Sequence, residues 1–522
     1  MPRHVPVETT LEGQRPIAPQ SMTALVNGFA CTRPPTGPIG ADPSRPLLCA
    51  SGLYRRDRSG LAPARRLTNR STMSVTVGGV VRRASALSAV ALLVGCAHPP
   101  PQTVVGPSLV SGATAARVTS IADEVVSLAQ TIGGVPRFSR AQRDSAALSR
   151  WDASVDRWLG ELRPMKLDTG RPEWVILGVM REGLEANVAL RTCSERPEMR
   201  DACYAAIARS STTLPLTASD LIARGTAEQA KIDPELMTVA GTLFGVSTAN
   251  DAKRKFRTDQ RFAAGTREEV LRLAEADVAR SRLSLAKWFA DPPTDTLVIR
   301  PETPAAEATS PGGRYSRASA NNGVAGLIIN TYKPEEQNRA NVLNAVVHEG
   351  YPGHHLQISI ERRAPAQHFV LRLFSPTSFI EGWAFYAERL ADEMGVYSSE
   401  MERAAFLVHL ADGAMALRAD AALNTGRWTK EQAIDTMMIV AGRQRWQAEV
   451  YANRHLNTAG QTVSYMVGYR AIMDLRDLAR RRLGAKFDIR AFHAQILNDG
   501  PVTLPMLGEK IERWITATAS GA

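Results

Sequence analysis

From Ala115 to the C-terminus, apolar residues recur at the three- and four-residue spacing of helices. Ile121, Val125, Val126 and Leu128 form one stripe, and Leu271, Ala274, Val278, Leu285 and Phe289 another, each opposed by a charged face. Val342, Leu343, Val346 and Val347 predict a buried helix over 339–349 that closes on His348-Glu349. The pattern breaks over 291–323, where Pro, Thr, Gly and Ser concentrate. This break divides a helical N-terminal part, 115–290, from a C-terminal part, 324–522. Directly after it, VAGLIINTY at 324–332 is the best strand candidate, short, apolar and rich in Ile. A lone strand beside the 339–349 helix offers a free edge that can hold an extended peptide by main-chain hydrogen bonds. The expected fold class is therefore mainly α, with a short β-strand region next to one important helix.

The text before Ala115 is of another kind. Residues 1–72 are rich in Pro, Gly, Arg and Ser without sustained periodicity, which predicts a disordered segment or an overlong gene start ahead of Met73. Residues 73–96 carry Arg82-Arg83, an apolar run from Ala84 to Val94 and then Gly95-Cys96, the layout of a secretory signal. The run is shorter than the roughly 20 residues of a spanning helix. Leu93-Val94-Gly95-Cys96 resembles a bacterial lipobox, in which Cys96 becomes the lipidated first residue; the other reading is an ordinary cleaved signal. Residues 97–114, with three consecutive prolines, then read as a tether. The expectation is an exported lipoprotein facing the periplasm or cell exterior, meeting the membrane only through its lipid.

Charge and cysteines follow from this division. Of the formal net charge of +11, residues 1–72 hold +6 and Arg82-Arg83 two more, leaving only +3 beyond the signal. A nucleic-acid partner is therefore not expected. Past Cys96 the chain has two cysteines, Cys193 and Cys203, which in an oxidising compartment either close a local disulfide or stay as buried thiols.

Three of the nine histidines fall within 348–355, which reads HEGYPGHH. The familiar zinc helix, H-E-x-x-H, places two imidazoles on one face and lets the Glu reach water. Here the i+4 position is Pro352, and an unbroken helix would carry His355 about 10 Å beyond His348. Pro352-Gly353 is expected to bend the chain and return one imidazole, from His354 or His355, to His348. A third ligand is sought on the next helical segment, SFIEGWAFYAERL at 378–390, where Glu381 and Glu388 share a face. Glu381, an acid in an apolar stretch, is the expected ligand, and Glu388 is expected to orient a histidine.

The segments HEGYPGHHLQ (348–357), EGWAFYAERL (381–390), GQTVSYMVGYRAIMDLR (460–476) and FHAQILNDGPVTL (492–504) resemble the bacterial family known as domain of unknown function 885. That family is itself similar to helical zinc peptidases of the thimet oligopeptidase and carboxypeptidase Taq type. The resemblance implies a large two-lobed helical fold flanking a deep channel, one zinc ion and a peptide or amide substrate. Where the family reads Asp-Thr-Gly-x-His, this chain has Asn424-Thr425-Gly426-Arg427-Trp428. His493 is kept, but the Asp expected beside it is Ala494.

The expected mechanism uses zinc-activated water with Glu349 as general base. Tyr465 and Tyr469 are candidate oxyanion donors, and Arg418, Arg427 and His493 are candidate groups on the substrate side. The alternatives are a hydrolase of non-peptide amides and a binding lipoprotein that has lost turnover.

Overall fold

The computed structural model describes residues 109–136, 143–191, 193, 200–318 and 324–521. The leader, the signal-like segment and Cys96 lie outside them. The first helix, Leu109–Thr131, starts within the stretch read as a tether.

Helices dominate, and their ends follow local chemistry. Ser145–Leu162 is capped by Asp144, whose carboxylate accepts from the backbone N–H groups of Ala146 and Ala147. It buries Trp151, Val155, Trp158, Leu159 and Leu162, one face at helical spacing. Ala218–Phe244 opens on a capping box made by Thr217 and Asp220 and closes on left-handed Gly245. Cys193 and Cys203 are joined as a disulfide with Cα atoms 5.2 Å apart, tying the end of helix Pro172–Arg191 to helix Arg200–Thr212.

Two helix pairs form the centre, and glycines set how closely each approaches. Glu400–Asn424 packs along Ala218–Phe244 with Gly225 against Ala414, where an added Cβ would stand 2.6 Å from the Ala414 carbonyl oxygen. Thr377–Glu393 crosses Val463–Leu483 with Gly382 directly on Gly468, and a Cβ on either glycine would overlap the opposing backbone. That crossing places Glu381 next to the first turn of Val463–Leu483. One hydrophobic core runs from Val118 to Ile515, so helices on both sides of the 291–323 break share it. Among the described residues, no helix is long and apolar enough to cross a membrane.

The strand candidate exists as Ala325–Ile329, but it is not alone. It is β3 of a three-stranded sheet in the order β1-β3-β2, with β1 at Leu297–Pro301 and β2 at Gly313–Ser316. β1 runs parallel to β3 (Leu297 opposite Ala325) and β2 antiparallel (Gly313 opposite Ile329). The free edge expected on this strand is therefore corrected: β3 is paired on both sides, and the edges belong to β1 and β2. All five β3 residues are buried, which explains why its sequence is continuously apolar, as central strands are.

Candidate metal centre

The helix Ala340–Glu349 stops at Gly350, and a new helix, His354–Glu361, begins after the Tyr351-Pro352-Gly353 turn. Gly353 is seated on the carbonyls of Val347 and His348, where any Cβ would collide with both oxygens. The turn thus brings the start of the second helix back onto the end of the first.

Of the two histidines behind the turn, His354 returns to His348. Their rings are 4.9 Å apart and perpendicular. Glu381 from Thr377–Glu393 completes the group, its Oε2 3.3 Å from His354 Nε2 and 3.7 Å from His348 Nε2. One ligand atom from each residue lies within 4.8 Å of the others. Tetrahedral zinc with bonds of about 2.0–2.1 Å requires ligand atoms about 3.3 Å apart, so the spacing suits one ion. Glu381 Oε2 is buried and has no hydrogen-bond partner, because the imidazole nitrogens face it without hydrogen-bond geometry. A buried carboxylate oxygen aimed with two nitrogens at one point fits a cation.

His355 lies elsewhere, which corrects its place among the metal candidates. Its Nδ1 meets the Tyr315 hydroxyl of β2 at 3.2 Å and its Nε2 the Asp295 carbonyl at 3.4 Å. Burial lowers its pKa, so it is a neutral group holding the second helix to the sheet.

Glu388 sits behind His348, fully buried. It accepts from His348 Nδ1 at 2.7 Å, from His409 Nδ1 at 2.9 Å and from Asn344 Nδ2 at 3.2 Å. Burial opposes its ionisation, but the charge of His409 and the hydrogen bonds from His348 and His409 outweigh this and bring its pKa down to about 2. An ionised Glu388 holds a proton on His348 Nδ1, so that Nε2, turned toward Glu381, is the nitrogen that would bind a cation. Asn344, one turn before His348, is held in turn by the Tyr397 hydroxyl at 3.1 Å. Asn344 and His409 were not among the sequence candidates. The signal for Asn344 was present, since i−4 from the candidate ligand His348 is the same helix face. His409, in the apolar run AFLVHLA, gave none.

Glu349 ends its helix half-buried beside Gly313 of β2. Among the described residues its carboxylate has no hydrogen bond or ion pair, and its charge is felt by His348. Tyr465 stacks on His348 with ring centres 6.2 Å apart, and Phe385 closes the wall against both rings. Arg454 donates to the Tyr465 oxygen at 3.2 Å. Burial and then the Glu381 charge raise the Tyr465 pKa, so its hydroxyl keeps a proton to donate.

The remaining candidates are placed away from this group. Tyr469, one turn beyond Tyr465, is buried against Arg389. Arg418 lies over Trp428 at 5.9 Å with no carboxylate partner among the described residues. Arg427 makes a surface ion pair with Asp201 at 2.8 Å, a structural role in place of the substrate contact expected. The Asn424–Trp428 segment is the end of helix Glu400–Asn424, about 22 Å along the axis from His409. Its departures from the family pattern alter a helix end, with Asn424 bonded to the carbonyls of Asp420 and His455.

His493 is a core residue, correcting its place on the substrate side. Its Nδ1 donates to the Trp288 carbonyl and its Nε2 accepts from the Tyr386 hydroxyl, both at 2.8 Å. Burial depresses its pKa to about 3. Its neutral form contributes fully above the unfolded pKa near 6.5. Between there and about pH 3 the unfolded chain binds a proton that the native one refuses, costing about 1.4 kcal/mol per pH unit. Urea unfolding of wild type should therefore weaken between pH 7 and 5 more steeply than that of His493→Gln; parallel pH profiles would contradict the assignment.

Solved structures and a sequence family place the chain among known proteins. No curated protein matches it. Among solved structures it is similar to a protein of Colwellia psychrerythraea, with TM-score 0.58 and 21% identity over 78% of this chain and 72% of that one. It is likewise similar to a protein of Shewanella oneidensis, with TM-score 0.51 and 20% identity over 76% of this chain and 77% of the other. Both are described as a "putative lipoprotein", and at this identity the likeness shows a shared fold. The model of one sequence family matches residues 116–511, a span that includes the His348, His354 and Glu381 cluster and both glycine-paired helices, and the chain thus belongs to the bacterial proteins of unknown function grouped as DUF885.

Proposed function

We propose that this chain is a zinc-dependent hydrolase that cleaves peptide bonds. The observation that carries the reading is the convergence of His348 Nε2, His354 Nε2 and the unpartnered Glu381 Oε2 within 4.8 Å. Two imidazoles and one carboxylate are the protein donors of one class of catalytic zinc sites, which keep the fourth position for water. Bound there, zinc supplies Lewis acidity that polarises a carbonyl and makes water a competent nucleophile near neutral pH.

The chain's own groups perform the rest. Glu349, adjacent to His348 and free of partners among the described residues, takes the proton of the attacking water and passes it to the leaving amine. Glu388 and Asn344 hold His348 in the tautomer that exposes Nε2. Tyr465, its oxygen engaged by Arg454, points its hydroxyl proton at the oxyanion that develops on the carbonyl. Export and lipid anchoring at Cys96 belong to the same reading. They rest on the signal-like text of 73–96 and on the description of the two structural relatives.

Elemental analysis after equilibration with zinc should find one ion per wild-type chain and next to none in Glu381→Ala. A peptide-library digest should show cleavage that a chelator stops and zinc restores. Folded wild type that takes up no zinc, or zinc-loaded protein that leaves the library intact, would overturn the reading.

A further inference from the structure

Next to the metal cluster, helix Arg445–Asn457 and the residue before its N-cap bring Arg454 and Arg443 together, and Arg443 lies beside Arg257. Arg257 and Arg443 share a single carboxylate, Asp412, at 2.7 and 2.8 Å. Arg443 is also stacked 3.6 Å from the ring centre of Tyr451. Arg454 completes the group. Its Nη2 donates to Tyr465 Oη at 3.2 Å and Gln461 Oε1 at 3.3 Å, while its Nε and Nη1 have no acceptor among the described residues. It forms no ion pair with any described carboxylate. Arg257 and Arg443 therefore share one Asp, and Arg454, whose charge Arg443 feels, has only the more distant charge of Glu381 to oppose it.

This wall is continuous with the metal residues. Arg454 lies over the Tyr465 ring at 5.9 Å, and that ring stacks on His348. On the other side, His409 is one turn before Asp412, its ring 5.8 Å from His348 and its side chain 38% exposed. A half-buried guanidinium with free donors, backed by two more of like charge, is unfavourable unless an anion completes it. A carboxylate is the matching shape, since the planar fork binds both of its oxygens.

We propose that this cationic wall recognises a free carboxylate on the substrate, with Arg454 as the binding residue, so that the centre selects peptides presenting a carboxylate beside the bond to be cut. The inference rests on the hydrolase reading, but binding tests it without turnover. The carboxylate can be the C-terminus or an acidic side chain, and the two are separable by the choice of peptide.

The probes are the tripeptide Ala-Phe-Ala as free acid, the same peptide as C-terminal amide, and the amide of Ala-Phe-Glu. Calorimetric titration uses zinc-loaded protein carrying Glu349→Gln, so that nothing is consumed. The free acid is expected to bind at least ten-fold tighter than its amide. Arg454→Gln, which keeps a donor for Tyr465, should erase that difference, and Arg454→Lys should restore part of it. Recovery of affinity by the Glu-containing amide assigns the site to an acidic side chain; failure of that peptide assigns it to the C-terminus. Equal binding of all three peptides overturns the proposal, as does an acid preference that survives Arg454→Gln. If the acid preference and its loss in Arg454→Gln are seen while wild type cleaves no peptide, the hydrolase reading fails and carboxylate recognition stands.

Discussion

Glu349→Gln should retain its zinc and lose on the order of 10²–10⁴-fold in peptide turnover, the range by which general bases contribute. The expectation is clean because of where Glu349 sits. Its carboxylate has no hydrogen bond or ion pair with the described residues, so an amide of the same size breaks no contact and leaves His348, His354 and Glu381 in place. Gln can still hydrogen-bond water but cannot accept its proton. The loss should therefore appear in kcat with substrate binding kept, and Glu349→Asp should recover part of it. Zinc-loaded Glu349→Gln that turns over peptide at the wild-type rate would remove this residue from its role.

Glu388→Ala should be the most damaging change away from the ligands themselves. Its carboxylate is fully buried and is the acceptor for His348 Nδ1, His409 Nδ1 and Asn344 Nδ2 together. Removing it strands the buried Nδ1 of His348, a proposed ligand, and takes an acceptor from His409 and Asn344. Loss of a buried partner of this kind costs about 3–5 kcal/mol, and loss of a carboxylate behind a ligating histidine costs about 10–100-fold in metal affinity. Competition against a chromophoric chelator measures the second effect, and urea unfolding of the metal-free protein measures the first. Glu381→Ala provides the contrast, since it removes a ligand without stranding His348 Nδ1. Wild-type zinc affinity in Glu388→Ala would mean that Glu388 has no hold on the centre.

The sequence made the helices readable wherever one apolar face was sustained, as in Ser145–Leu162 and Ala340–Glu349. It made β3 readable because a central strand is apolar throughout. β1 and β2 were not, since Leu297–Pro301 is only partly covered and Gly313–Ser316 has no apolar run; only pairing with β3 makes them strands. Spacing alone also favoured His354 over His355 only narrowly. They differ because consecutive helical side chains point about 100° apart, one toward Glu381 and one toward the sheet. Tyr465 and Tyr469 share a helix face, but one turn of rise carries Tyr469 past the centre to Arg389. The Arg257, Arg443 and Arg454 wall joins two residues of one helix region to Arg257, far away in the chain, and no local pattern announces such an assembly.

The seat of Gly353 on the carbonyls of Val347 and His348 makes the histidine pair a joint between two rods. In an H-E-x-x-H helix the distance between imidazoles lasts as long as the helix itself. Here each rod can remain coiled while the joint opens, so the grip on an ion senses the seating of one rod on the other. A cation bound there would therefore gauge tertiary order, since opening the joint would release it from a protein whose helices are intact.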